Sequence, residues 1–272
     1  RRVFPDREAL KGLHQFIEPM PAKGVGIAEI LEMLHRYGAP ATVASNGGRY
    51  FGFVTGAALP AATAVSQMTA FWDQNGAMEV MSPVVARLEQ VTEDWLKHLF
   101  GLPEQVVAGF VSGTSVANLC ALAAARYRIL ENQGWDVGLK GVFQAPPVRV
   151  VCGEHVHTSV IKALQILGFG TEKLERIPVD NQGRIRPDEV PTLDEGTILI
   201  LQAGNVNSGA FDSFDEIIPA AKQAGAWVHI DGAFGLWAAV SPQLAQLCKG
   251  MEKADSWSVD GHKTLNTPYD SG

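Results

Sequence analysis

Apolar residues recur at steps of three and four through Val84, Val85, Leu88, Val91, Trp95, Leu96 and Leu99, which is the spacing of one helical face. The pattern predicts an amphipathic helix over residues 78–99, with Gly101 as its stop signal. Beyond residue 105 the pattern changes to short, continuous apolar runs at 106–111, 148–152, 197–203, 226–231 and 256–259, which read as buried strands. Helical periods fall between them, over 115–132, 158–167, 214–223 and 242–250. Strands that are apolar on both faces and alternate with helices predict an α/β fold, with a mostly parallel central sheet covered on both sides. Ligands of such sheets collect at the carboxyl ends of the strands. Residues 1–75 mix short helical patterns with turns such as Asn46-Gly47-Gly48 and Leu59-Pro60. They are expected to form an N-terminal segment packing on a large domain that spans 76–272.

Composition narrows the function classes. The chain has 272 residues, 46% hydrophobic and 19% charged, enough for a large buried core. Its net charge of −7, with no block of Lys and Arg, argues against a nucleic-acid surface and favours a small-molecule substrate. The longest apolar stretches, such as 54–68, are interrupted by Gly, Pro, Ser or Gln and fall short of the ~20 residues of a spanning helix, so no membrane segment is expected. Nothing near Arg1 resembles a signal peptide. Cys120, Cys152 and Cys248 are odd in number, scattered and set among apolar residues, which fits free thiols in a reducing cytoplasm.

Four segments at predicted strand ends carry candidate chemistry. Residues 111–118, Val-Ser-Gly-Thr-Ser-Val-Ala-Asn, open a helix with Gly113, Thr114 and Ser115, a combination suited to an anion and equally to a plain helix cap. Residues 154–160 bring His157 to a strand end, as a ring-stacking imidazole, a structural histidine, or half of a metal pair with His155 that no further ligand completes. Residues 227–234 end an apolar strand on Asp231, a carboxylate that needs a cationic or hydrogen-bonding partner there; a protonated pyridine nitrogen, a helix cap or a magnesium ion would each serve. Residues 256–264 place Lys263 just beyond another strand, where an amine in a low-dielectric cleft can form an imine. A single lysine is more often a solvated charge, so the inference rests on the set.

An anion loop, a stacking histidine, a carboxylate for a ring nitrogen and an imine lysine are the four parts of a pyridoxal 5′-phosphate (PLP) site. In this order, with these neighbours, they resemble the group II PLP-dependent amino-acid decarboxylases, which include aromatic-L-amino-acid, glutamate and diaminobutyrate decarboxylases. The resemblance extends to Gly52-Phe53-Val54, Ala58-Leu59-Pro60, Met81-Ser82-Pro83, the loop 204–212 and the Asp260-Gly261-His262-Lys263 motif. It implies the three-layer large domain of fold-type I PLP enzymes. It also implies L-amino-acid decarboxylation to an amine and CO2, with Lys263 as the Schiff-base lysine, Asp231 at the ring nitrogen and His157 stacked on the ring. Gly113, Thr114 and Ser115 would hold the phosphate, Ala233 would pack on the opposite ring face, and His262 would assist at the phosphate or orient the lysine. Asn205 would contact substrate or a ring oxygen. The same parts serve aminotransferases and carbon–carbon lyases of this fold, and an inactive fragment is a further alternative. The family pattern implies a homodimer and, after Gly272, another sheet strand and a C-terminal small domain, so the natural protein is expected to be longer.

Overall fold

The computed structural model describes residues 2–272 and divides into two compact units, Arg1–Ala57 and Ala58–Gly272. The smaller contains α1 (Arg7–Gly12), α2 (Ile27–Met33) and short 3-10 and π turns, and none of its described residues is fully buried. The larger begins with α3 (Pro60–Trp72) and α4 (Pro83–Phe100), the helix expected over 78–99. Pro83 starts α4, and Gly101, at φ 64°, ends it in the left-handed conformation that glycine adopts without a Cβ clash.

The sheet of the larger unit is entirely parallel, with strand order β2-β1-β3-β4-β5. Its strands are β1 (Arg149–Gly153), β2 (Glu175–Ile177), β3 (Thr197–Gln202), β4 (Trp227–Asp231) and β5 (Ser256–Ser258). Alternation along each strand sorts its side chains between two cores. Val150, Cys152, Ile198 and Ile200 pack on one face against Leu122, Ala125 and Ile129 of α5 (Thr114–Asn132) and Val160, Ala163 and Leu164 of α7 (Thr158–Ile166). The short α6 (Val137–Lys140) follows α5. Val151, Leu199, Leu201, Val228 and Ile230 face the other way, against Phe214, Ile217, Ile218 and Ala221 of α8 (Phe214–Gln223). Removing a side chain of this size from water is worth about 1.5–3 kcal/mol, so the two faces together anchor the three layers. The same alternation turns His229 and Asp231 toward α5, opposite to Val228 and Ile230.

The chain reverses its direction of travel across the sheet between β1 and β3, and the ends of those strands open a cleft lined by His155, Gly183, Gln202, Asp212 and Asp231. Two expected elements differ, and one strand was not expected. Residues 106–111 form no strand; only Val111 pairs, exchanging backbone hydrogen bonds with Gly272 at 2.9 Å each way. The helix expected over 242–250 is reduced to the 3-10 turn Ala245–Cys248, and Gly250, whose φ of 89° no continuous helix accepts, parts it from a second turn at Met251–Lys253. β2 was not expected, because three residues with a central arginine carry no apolar run.

Candidate active site

His157 is the N-cap of α7. Its Nδ1 accepts the Ser159 N–H at 3.2 Å and lies 2.7 Å from Ser159 Oγ. A nitrogen that accepts from a backbone amide carries no proton, so the neutral ring is protonated on Nε2, the atom left for other contacts.

Asp231 ends β4 and is almost fully buried. One carboxylate oxygen accepts from Ala233 N–H at 3.2 Å and the other from Asn118 Nδ2 at 3.3 Å. Burial pushes this carboxyl above the usual carboxylate range, against the pull of those two bonds and of the nearby His157 and Lys263. Among the described residues no cationic side chain pairs with it directly.

Lys263 follows β5, and its Nζ lies 2.9 Å from Asp260 Oδ2. The other oxygen of the buried Asp260 accepts the Thr114 N–H, the first amide of α5, at 2.6 Å. His262 Nε2 stands 3.7 Å from the same carboxylate, and its Nδ1 accepts from Ser271 N–H. One side chain thus joins the start of α5, the lysine and the adjacent histidine. Gly113 sits so close beneath His262 that a Cβ there would lie 3.1 Å from the ring carbon Cε1.

Gly113, Thr114, His157, Asp231, His262 and Lys263 therefore gather where the carboxyl ends of β1, β4 and β5 meet the N-terminus of α5. The Ala233 backbone links them, its N–H donating to Asp231 and its C=O accepting from Asp260 N–H at 2.8 Å. Ser115 follows Thr114 and is exposed. Asn205 is buried and serves its own loop: Oδ1 accepts from Asn207 N–H at 2.9 Å, and Nδ2 reaches Gln202 Oε1 at 3.5 Å.

Residues 23–272 match the pyridoxal-dependent decarboxylase conserved domain. The chain belongs to the pyridoxal-dependent decarboxylase family. It is 34% identical over 194 residues to the aromatic-L-amino-acid decarboxylase of Bacillus atrophaeus, covering 68% of this chain and 38% of that protein. It is 29% identical over 287 residues to the L-2,4-diaminobutyrate decarboxylase of Rhizobium meliloti (strain 1021), covering 97% and 53%. The chain thus spans roughly a third to a half of the length of these relatives. Its fold matches the crystal structure of mouse CSAD with a TM-score of 0.88 at 23% identity, covering 100% of this chain and 58% of that one. Oryza sativa TDC, solved with PLP and tryptamine, matches at 0.85 and 23%, covering 99% and 58%.

The residues present fit the cofactor of this family on two structural counts. The Thr114 hydroxyl is buried at the N-terminus of a 19-residue helix and has no hydrogen-bond partner, a position that a phosphate oxygen would satisfy. Asp231 is a buried carboxylate lacking a cation, as a protonated pyridine nitrogen requires. Sequence reasoning missed Asn118, Ser258 and the linking role of Asp260. Only the fold reveals them, since Asn118 meets Asp231 across 113 residues of chain and Thr114 meets Asp260 across 146.

Proposed function

We propose that this chain carries the cofactor-holding part of an enzyme that decarboxylates an L-amino acid to its amine and CO2, within a domain spanning residues 76–272. The observation that carries the reading is the buried Asp231, without a cation at the end of β4, on the same sheet edge as Lys263 and the unpartnered Thr114 hydroxyl. Bound PLP supplies an aldehyde for imine chemistry and a cationic ring that withdraws electrons from the bond to be broken. Lys263 would hold the cofactor through its amine, which Asp260 positions from 2.9 Å. Asp231 keeps the ring nitrogen protonated, because a buried carboxylate is stabilised most by a cation in contact with it. His157 and Ala233 would hold the two faces of the ring. Gly113, Thr114 and Ser115 hold the phosphate at the start of α5, where His262 covers Gly113. Asn205, on the loop after β3, would contact substrate or a ring oxygen.

We also infer a homodimer. Val65, Met68, Phe71 and Trp72 of α3, and Leu88 and Trp95 of α4, are exposed apolar side chains of the kind that a second subunit covers. Among the described residues no helix is long and apolar enough to cross a membrane. The three cysteines are unpaired, which supports a reducing, cytoplasmic setting.

The test combines product analysis with one variant. The purified protein, given PLP and a panel of L-amino acids, is expected to release CO2 and amine; keto-acid formation would identify an aminotransferase instead. Lys263→Ala should abolish the visible absorbance of lysine-bound cofactor, and persistence of that band refutes the lysine assignment.

A further inference from the structure

We infer that Asn118 is a positioning residue that holds Asp231 and His157 in one fixed arrangement through a chain of hydrogen bonds, buried at its centre, that reaches back to Trp227. The inference rests on the reading above, in which the cofactor ring lies against His157 with its nitrogen at Asp231.

Asn118 sits on the second turn of α5 and is fully buried. Its amide oxygen accepts from Ser258 Oγ at 2.7 Å and from His229 Nε2 at 2.9 Å, and its nitrogen donates to Asp231 Oδ2 and Ser159 Oγ, each at 3.3 Å. These roles fix one another. An ionised carboxylate only accepts, so the amide nitrogen must face Asp231. The oxygen side then requires donors, which places the His229 proton on Nε2. His229 Nδ1 must accept, and Ser256 Oγ supplies the donor at 2.9 Å while itself accepting from Trp227 Nε1 at 3.0 Å. At the other end, Ser159 Oγ accepts from Asn118 and donates to His157 Nδ1.

Every donor in the chain therefore points one way, from Trp227 through Ser256, His229 and Asn118. There the path divides, one amide hydrogen going to Asp231 and the other to Ser159 and on to His157. A polar group that merely satisfied the core would need no such division. Here one hydrogen of a single amide goes to the side chain assigned to the ring nitrogen and the other, through Ser159 Oγ, to the one assigned to the ring face, so one planar group bears on the placement of both.

The test uses the full-length protein with three variants. N118D keeps an oxygen toward Ser258 and His229 but removes both donors. H229L removes the donor that fixes the amide orientation, and H229Q restores it through a neutral amide. In histidine-15N NMR spectra of the cofactor-free protein, the Ser159 N–H keeps His157 in the Nε2–H tautomer, and N118D is expected to shift the His157 Nδ1 resonance because Ser159 Oγ loses the donor that orients it. In the PLP-loaded enzyme, N118D and H229L should lower kcat roughly ten-fold or more with KM little changed, as expected for losing a hydrogen bond to a charged group. The pH at which the visible cofactor band changes should shift with it, and H229Q should recover most of the loss. N118D and H229L that fold, bind cofactor and keep the wild-type His157 Nδ1 resonance, kcat and pH titration overturn the inference. If N118D does not fold, indistinguishable behaviour of H229L and H229Q overturns it. A wild type that gains no visible cofactor band with saturating PLP defeats the cofactor reading instead, and the cofactor-free NMR experiment still decides whether Asn118 sets His157.

Discussion

Burial moves two titratable residues of the larger unit in opposite senses. His229, enclosed between β4 and α5, is driven down to about 4 by loss of hydration. Asp212, which clamps the Ile185 and Gln202 amides at 2.7 Å each, is driven up to about 6 by the same cause, partly offset by those bonds. Between pH 6.5 and 4 the unfolded chain binds a proton at histidine that the folded His229 refuses, so this residue makes stability fall as the solution is acidified. Between roughly 3.8 and 6 the folded Asp212 holds a proton that the unfolded chain has released, so this residue makes stability fall as pH rises. H229Q removes the first slope, and its melting temperature between pH 4 and 6.5 is expected to drop less on acidification than that of wild type. The His229 contribution is on the order of 3 kcal/mol across that window. D212N removes the second slope, and urea titrations should show a steeper loss toward acid. It should also cost about 1–3 kcal/mol at neutral pH, since one clamped amide then faces an NH2 group.

At the scale of elements, close approach decides what is tolerated. Gly235 opens the 3-10 turn Gly235–Val240 directly against the backbone of Ala203, where a Cβ would overlap the carbonyl oxygen. G235A is expected to lower stability by about 1–3 kcal/mol or more, measured by urea denaturation, because backbone gives way less readily than a side chain. Long periodic segments were legible in the sequence for a related reason. The bounds of α8 were readable in full, and α4, α5, α7 and four of the strands within a few residues, since each buries one consistent face or two. The apolar run at 106–111 misled, because an apolar segment can lie against a fold without joining its sheet. Asp231 was visible as a polar residue ending an apolar strand and Lys263 as a lysine just beyond another, whereas Asn118 looked like an ordinary helix residue. Its importance comes from contacts with β4, β5 and Ser159, which lie far along the chain.

Two expectations belong to the whole molecule. If α3 and α4 meet a second subunit, F71E should convert a dimer to a monomer in light scattering coupled to size exclusion, since Phe71 is 90% exposed in the single chain and a buried glutamate has no partner there. Saturating PLP should raise the melting temperature of the wild type, with a stabilisation of about 2.7 kcal/mol when the cofactor is a hundred-fold above its Kd. The one-way run of donors from Trp227 to His157 also governs where acid and base can reach the chemistry. An amide at its centre neither gains nor loses a proton near neutrality, and reversing the run would require each hydroxyl and ring to turn over together. The core beneath the site is therefore an insulator, not a wire. On the function proposed above, proton exchange falls to the exposed His157 and the amine of Lys263 instead of this core.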